Sequence, residues 1–109
     1  MLKKINRITS RKEFEIIKKE GKLKQYPYFG LIFKQIPISD NREINNKKFG
    51  FIISKRISKK AVIRNKIKRL IAEEVRQNLD KFENGFRGIF LVKRNILDEK
   101  GNLRNLKFL

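Results

Sequence analysis

Apolar positions along the chain recur with two periods, and the places where the period changes mark the elements. Ser10-Arg11-Lys12-Glu13 reads as a capping box, with the serine hydroxyl and the glutamate carboxylate each satisfying a free amide donor. The helix it opens carries Phe14 and Ile17 on one face and runs to about Glu20, where Gly21 supplies the C′ residue. Tyr28 to Ile36 is strand-like in its aromatic and β-branched content and is stopped by Pro37. Ser39 to Asn46 is a polar loop. Lys48 to Ser54 predicts a second strand, with Phe49, Phe51 and Ile53 alternating onto one face.

From about Lys59 to Leu79 the period becomes helical. Ile63, Ile67, Leu70, Ile71 and Val75 fall on one stripe of an amphipathic helix. Gly85 and Gly88 bracket a break, and Ile89-Phe90-Leu91-Val92 follows as a buried strand. Leucines at 103, 106 and 109 predict a short terminal helix beginning near Asp98, and a small extra strand fits around Leu23 to Gln25. No repeat or linker divides residues 1–109. The expectation is one domain of the α/β (α+β) class, a two-layer sandwich ordered α-β-β-(β)-α-β-α, the bracketed strand being the small extra one.

Composition narrows the chemistry. The 109 residues are 39% hydrophobic and include nine Phe, enough for a core and unlike a disordered basic tail. There is no Cys, which removes disulfides, thiolate nucleophiles and cysteine-based zinc sites. There is no His, which removes the commonest general base and metal ligand. Neither catalytic nor metal-ligating residues are expected. No stretch approaches the roughly 18 apolar residues of a membrane span, and the basic start Met1 to Arg7 is not followed by the apolar run of a signal peptide. The cytoplasm is the expected compartment.

Charge sharpens the picture. Lys and Arg number 29 against 11 Asp and Glu, a formal net charge of +18, which points to a polyanionic partner, nucleic acid ahead of a membrane surface. Residues 1–12 carry five basic residues and no acid, as a mobile or groove-tracking arm would. Between Ile44 and Ala72 stand ten more and again no acid. On a helical wheel Arg64, Asn65, Lys66, Lys68 and Arg69 sweep an arc that leaves the Ile63/Ile67/Leu70/Ile71 stripe to pack. A solvated helix face is the alternative, but such faces usually mix signs, because i,i+4 pairs of opposite charge stabilise the helix. Here Lys60, Arg64 and Lys68 are like charges at that spacing, and Lys59 and Lys60 lie at the positive end of the helix dipole. Local helix stability argues against the pattern, so an outside anion is the better explanation; a phosphate there could take both amide donors and side chains. Phe14 and Tyr28 could offer rings to unpaired bases, or could simply be core, as Phe49, Phe51 and Phe90 are expected to be.

The string Phe49-Gly50-Phe51-Ile52-Ile53-Ser54-Lys55-Arg56-Ile57, followed by Lys60-Ala61-Val62-Ile63-Arg64-Asn65-Lys66-Ile67-Lys68-Arg69-Leu70, closely resembles the signature of the bacterial ribonuclease P protein component. Asn6-Arg7-Ile8 and Glu13-Phe14 before Gly21 agree with it, so the resemblance covers nearly the whole chain. It implies an accessory subunit that binds a catalytic RNA and, with it, removes the 5′ leader of precursor tRNA. The chemistry would belong to the RNA and to Mg²⁺ held mainly by RNA and substrate, with no membrane and no obligate protein partner. It also implies a left-handed crossover around the long helix, against the usual right-handed rule.

Carried over by position, Arg64, Asn65, Lys66, Lys68 and Arg69 match the helix that faces the catalytic RNA, Lys55 and Arg56 match the basic pair before it, and Lys60 opens the helical motif. Phe14, Tyr28 and Ile32 fall where the family lines a cleft for the leader, with Lys18 one turn after Phe14. Departures are Lys66 for a second arginine, Lys18 and Ile32 for frequent aromatics, and Ala72 for a frequent basic residue; Lys66 keeps charge but loses the planar fork. The competing expectation is a ribosomal or other structural RNA-binding protein, with a duplex-DNA packer behind it. A protein-only nuclease is disfavoured, since Glu73 and Glu74 point to different helix faces and Asp40 and Glu43 sit in a loop.

Overall fold

The computed structural model describes residues 2–37, 40 and 45–102. Helix α1 (Arg11–Glu20) precedes strands β1 (Lys22–Gln25), β2 (Phe29–Gln35) and β3 (Lys48–Ile52). The long helix α2 (Ala61–Gln77) and strand β4 (Phe86–Val92) follow, with short 3-10 turns at Lys4–Asn6, Leu79–Lys81 and Arg94–Ile96. The sheet order is β1-β2-β4-β3. β4 runs antiparallel to β2 and parallel to β3, so β3, α2 and β4 form a crossover between adjacent parallel strands.

Side-chain alternation sorts the core onto two faces. Phe29, Leu31, Phe49 and Phe90 pack with Ile67, Ile71, Ala72 and Val75 of α2. Ile32 and Ile89 face the other way and pack with Ile17 of α1. The chain forms an α+β sandwich, but in three layers and not the two expected: the sheet lies between α1 and α2, because each helix carries its own apolar stripe and needs a face to bury it. Phe49 is the aromatic centre of the α2 side: its ring lies 4.9 Å from Phe82, 5.7 Å from Phe86 and 6.2 Å from Phe90. The expected extra strand is present as β1, pairing Leu23 with Ile32.

Several local expectations are corrected. Ser10 does cap α1, its Oγ accepting from the Glu13 N–H at 3.3 Å. The Glu13 carboxylate, however, accepts from Arg87 Nε at 3.1 Å instead of closing the capping box. Arg87 is 3% exposed, and a buried guanidinium demands a carboxylate more than an exposed amide does. Gly21 is extended, not left-handed (φ −69°, ψ 160°). Its reason is space, since a Cβ there would lie 2.6 Å from the Ile17 carbonyl oxygen and 2.7 Å from Ile32 Cγ2. Gly88 lies inside β4; the break belongs to Gly85 alone, whose φ of +81° makes the turn into the strand.

The basic N-terminal arm is docked. Leu2 and Asn6 are buried, Asn6 Nδ2 donates to the Lys47 carbonyl at 2.8 Å, and the Ile8 N–H donates to the Phe49 carbonyl at 3.0 Å. Arg7 thereby bridges to Phe49 as a parallel partner on the outer edge of β3. At the other end, Asp98 accepts from the Lys100 and Asn102 amides in a turn with Gly101 at φ +81°, so no helix starts at Asp98. Leu103, Leu106 and Leu109 lie outside the described residues, as does most of the polar loop from Ser39.

Candidate nucleic-acid interface

α2 starts without a side-chain cap: Lys60 stands at the N-cap position and no acid occupies the first turn. The positive end of the helix dipole is left uncompensated. The turn before it is held from within. Ile57 is buried beneath it, Ser54 Oγ accepts from the Arg56 N–H at 2.9 Å, and Ser58 Oγ accepts from the Lys60 N–H at 3.2 Å. Arg64 Nη1 reaches back to the Ser58 carbonyl at 2.8 Å and ties turn to helix. The backbone is thus fixed while the side chains of Lys55, Arg56 and Lys60 remain exposed.

On α2, Asn65, Lys66, Lys68 and Arg69 are exposed, whereas Ile67 and Ile71 are fully buried, as the sequence stripe requires. Arg64 is half-buried. Val62, 74% exposed, adds an apolar spot among the cations that the sequence reading passed over. Ion pairs form away from this face: Glu13 with Arg87, Glu20 with Lys34 at 2.7 Å, and Glu73 with Arg76 near the end of α2. The hydrogen bond from Lys34 lowers the Glu20 pKa, and that from Arg76, with help from Gln77, holds Glu73 at about 2. Among the described residues no carboxylate engages Lys55, Arg56, Lys60, Lys66, Lys68 or Arg69. Among the described residues this charge is left unneutralised, which is what a phosphate-binding face needs.

The other four candidate residues divide. Phe14 is half-buried and its ring covers Gly50, where a Cβ would come within 2.7 Å of Phe14 Cε2. Ile32 lies under α1 at 8% exposure, a floor between Ile17 and Ile89 and not an open wall. Lys18 is exposed on α1. Tyr28 packs with the α2-side cluster instead, because β2 begins only at Phe29 and strand alternation does not hold Tyr28 on the Ile32 face. The structure brings Phe14 and Ile32 to one face and does not bring Tyr28 there.

A cavity of about 180 Å³ opens beside Phe14, lined by Arg7, Ile8, Gly50, Phe51 and, from α2, Lys68. Sequence reasoning missed Arg7 and Gly50. Arg7 lay in a segment read as an arm, and only the pairing of that arm with Phe49 aims it here. Chemically, the site offers exposed cations beside the half-buried Phe14 ring, and no three acidic side chains converge among the described residues.

Comparison with known proteins gives a consistent answer. A family model described as Ribonuclease P matches residues 2–107. The ribonuclease P protein component of Microcystis aeruginosa is 32% identical over 97 residues, covering 89% of this chain and 79% of the relative. The solved ribonuclease P protein of Thermotoga maritima superposes with a TM-score of 0.69 at 28% identity, over 83% of this chain and 76% of that one. That of Staphylococcus aureus gives 0.69 at 27% identity, over 82% and 75%. A basic helix carried on this sheet, in a chain matched almost end to end, leaves one conclusion: the chain belongs to the ribonuclease P protein family, the accessory subunits of ribonuclease P in tRNA 5′ processing.

Proposed function

We propose that this subunit, acting as a single domain with no obligate protein partner, holds two stretches of RNA at once. Lys55, Arg56, Lys60, Arg64, Asn65, Lys66, Lys68 and Arg69 dock on the ribonuclease P RNA, the partner that family membership implies. Phe14, with Lys18 beside it, meets the 5′ leader of precursor tRNA. The carrying observation is that Lys55, Arg56, Lys60, Lys66, Lys68 and Arg69, on the first part of α2 and its preceding turn, have no carboxylate partner among the described residues, whereas Arg76 near the end of the same helix is paired with Glu73. Tyr28 and Ile32 support the cleft from behind: Tyr28 packs in the opposite layer and Ile32 is buried.

Mg²⁺ does not fit the described residues, where no three acidic side chains converge. Glu73 is engaged by Arg76 and Gln77, and Glu74 by Asn78. The metal that the resemblance implies is assigned to the RNA and its substrate. The protein's contribution is to neutralise phosphates, which lowers the free Mg²⁺ the RNA needs. No helix among the described residues is long and apolar enough to cross a membrane; the proposed compartment is the cytoplasm, where the RNA partner is made.

The test is multiple-turnover cleavage of a precursor tRNA by a bacterial ribonuclease P RNA at low Mg²⁺, with and without the protein. Stimulation, with no cleavage by the protein alone, is expected. A folded sample that binds RNA but fails to stimulate its own organism's ribonuclease P RNA would overturn the proposal.

A further inference from the structure

We propose that the end of the sheet where β3 and β4 finish and β2 begins is a second phosphate-docking surface for the ribonuclease P RNA. It continues the basic turn before α2 and makes its contacts through Arg94 and Lys24. The inference rests on the reading of α2 above and extends it to the turn after β4 and to the β1 edge.

Strand register brings three separate stretches of chain to that end. Ile52 pairs with Leu91 in the parallel ladder, and Phe29 pairs with Val92 in the antiparallel one. Chain leaving β3 toward Lys55 and Arg56 therefore runs beside chain leaving β4 toward Arg94, and the β1–β2 hairpin at residues 26–28 lies on the far side of it. None of the three carries an acid, since Asp and Glu are absent from residues 21–39, 44–72 and 84–97. The acids nearest in sequence to Arg94 are Asp98 and Glu99, and the Asp98 carboxylate is committed to the amides of Lys100 and Asn102. Asp80 and Glu83 stand at the opposite end of the sheet, before β4 begins. Acid-free segments that meet at one end only repel one another unless an outside anion answers them.

The turn after β4 and the hairpin are locked together. The carbonyls of Tyr26, Pro27 and Tyr28 all accept from that turn: from Lys93 Nζ at 2.7 Å, Asn95 Nδ2 at 2.9 Å and the Lys93 N–H at 2.9 Å. Lys93 and Asn95 thus turn their side chains onto the hairpin. Arg94 between them is exposed, and no hydrogen bond or ion pair holds its side chain among the described residues. On the hairpin, Tyr26 stacks on buried Phe29 with ring centroids 4.7 Å apart, and the Lys24 ammonium lies over the Tyr26 ring, 5.4 Å from its centroid. A ring places an ammonium without neutralising it, so both cations are presented at little further ordering cost.

Lys24 pairs with Leu31, whose side chain packs on the α2 side of the sheet. The surface is therefore separate from the α1 face that holds Phe14. Across β3, β4, β2 and β1 the cations form a row three strand spacings wide, roughly 15 Å, which one tract of RNA backbone can follow.

The test is binding of the full-length protein to a bacterial ribonuclease P RNA, without precursor tRNA, at four salt concentrations. Arg94→Ala and Lys24→Ala should each flatten the slope of log K against log salt by about 0.9. A contact of that slope, worth nothing at about 1 M salt, is worth about eightfold at about 0.1 M, so each variant should bind about eightfold more weakly there. Arg94→Lys, which keeps the charge, should keep the slope. Lys81→Ala removes the same charge from the opposite end of the sheet and should change neither quantity. Melting temperatures equal to wild type would show that the exposed substitutions leave the fold intact. Wild-type binding by Arg94→Ala and Lys24→Ala, with Arg69→Ala impaired, would overturn this inference and leave the subunit reading standing. Wild-type binding by Arg69→Ala as well would overturn both. An equal loss in Lys81→Ala would overturn it by showing that net charge alone acts, and a loss confined to precursor binding by the assembled enzyme would give the surface to the substrate instead.

Discussion

Replacing Arg69 by Ala should reduce the salt dependence of ribonuclease P RNA binding by one phosphate's worth, and replacing Arg76 should not. The structure supplies the count. Lys55, Arg56, Lys59, Lys60, Lys66, Lys68 and Arg69 are exposed and have no side-chain partner among the described residues, seven cations on the turn and the first half of α2. Each phosphate neutralised releases condensed counterions, so the slope of log K against log salt is about −0.9 per contact, or about −6 for the seven. Between roughly 50 and 200 mM salt the affinity should fall several thousandfold. Arg69→Ala shortens the slope by about 0.9, so the gap between wild type and variant should narrow about three- to fourfold across that range. Arg76 lies farther along the same helix but is already bonded to Glu73 through Nε at 3.0 Å. Its pair is neutral, and Arg76→Ala should leave the slope unchanged. The assay is filter binding or fluorescence titration at four salt concentrations. Equal slope changes for the two variants would refute the reasoning, since binding would then follow net charge and not a local face.

Phe14→Ala should weaken precursor binding by the assembled enzyme by about 1–3 kcal/mol, the range for one stacked base, with affinity for the catalytic RNA alone unaltered in the same titration. Glu13→Gln leaves the Arg87 guanidinium, 3% exposed, without its carboxylate. Urea unfolding should show a loss of about 2 kcal/mol, below the range for a fully buried pair because Glu13 is 35% exposed; Arg87→Met in the Glu13→Gln background should recover part of it. Gly21→Ala places a Cβ 2.6 Å from a backbone carbonyl and should destabilise by about 1–3 kcal/mol, a figure a melting shift would check. Glu73, held at about 2 against an ordinary 4.5, contributes stability that is present above pH 4.5 and lost as pH falls through about 2. Glu73→Gln should therefore remove part of the acid-side decline, less so in high salt, and an unchanged acid limb would count against the pairing.

What the sequence made legible follows from what is local. The 3.6-residue stripe of Ile63, Ile67, Leu70, Ile71 and Val75 specified α2 and its buried side without knowledge of its partner, and alternation at Phe49, Phe51 and Ile53 did the same for β3. The basic face followed, being what the stripe left over. Most of the misses are long-range, the turn at Asp98 being a local one. Arg87 sits 74 residues from Glu13 and Asn6 lies 41 from Lys47, and no spacing rule links such pairs. The arm looked mobile because its charge was visible and its anchors, Leu2 and Asn6, were single residues. Ile32 and Tyr28 were grouped by strand position, but one is covered by α1 and the other precedes the strand that would have aligned it. Phe14 escaped both errors because its ring lies over Gly50 of β3, where a Cβ would come within 2.7 Å of it.

The arm has a second consequence, for how copies of the chain treat one another. A four-stranded sheet has two margins, and an unguarded margin invites another strand. One margin here is β1, four residues long, fully exposed, and carrying Lys22 and Lys24. The other is β3, and at Phe49 its hydrogen-bonding edge is already taken by Arg7 and Ile8. Charge and brevity protect the first margin; the chain's own leading residues protect the second. A subunit waiting for its RNA is in this way kept from templating its own assembly, and trimming the arm back past Ile8 would expose an apolar strand edge and turn that restraint into self-association.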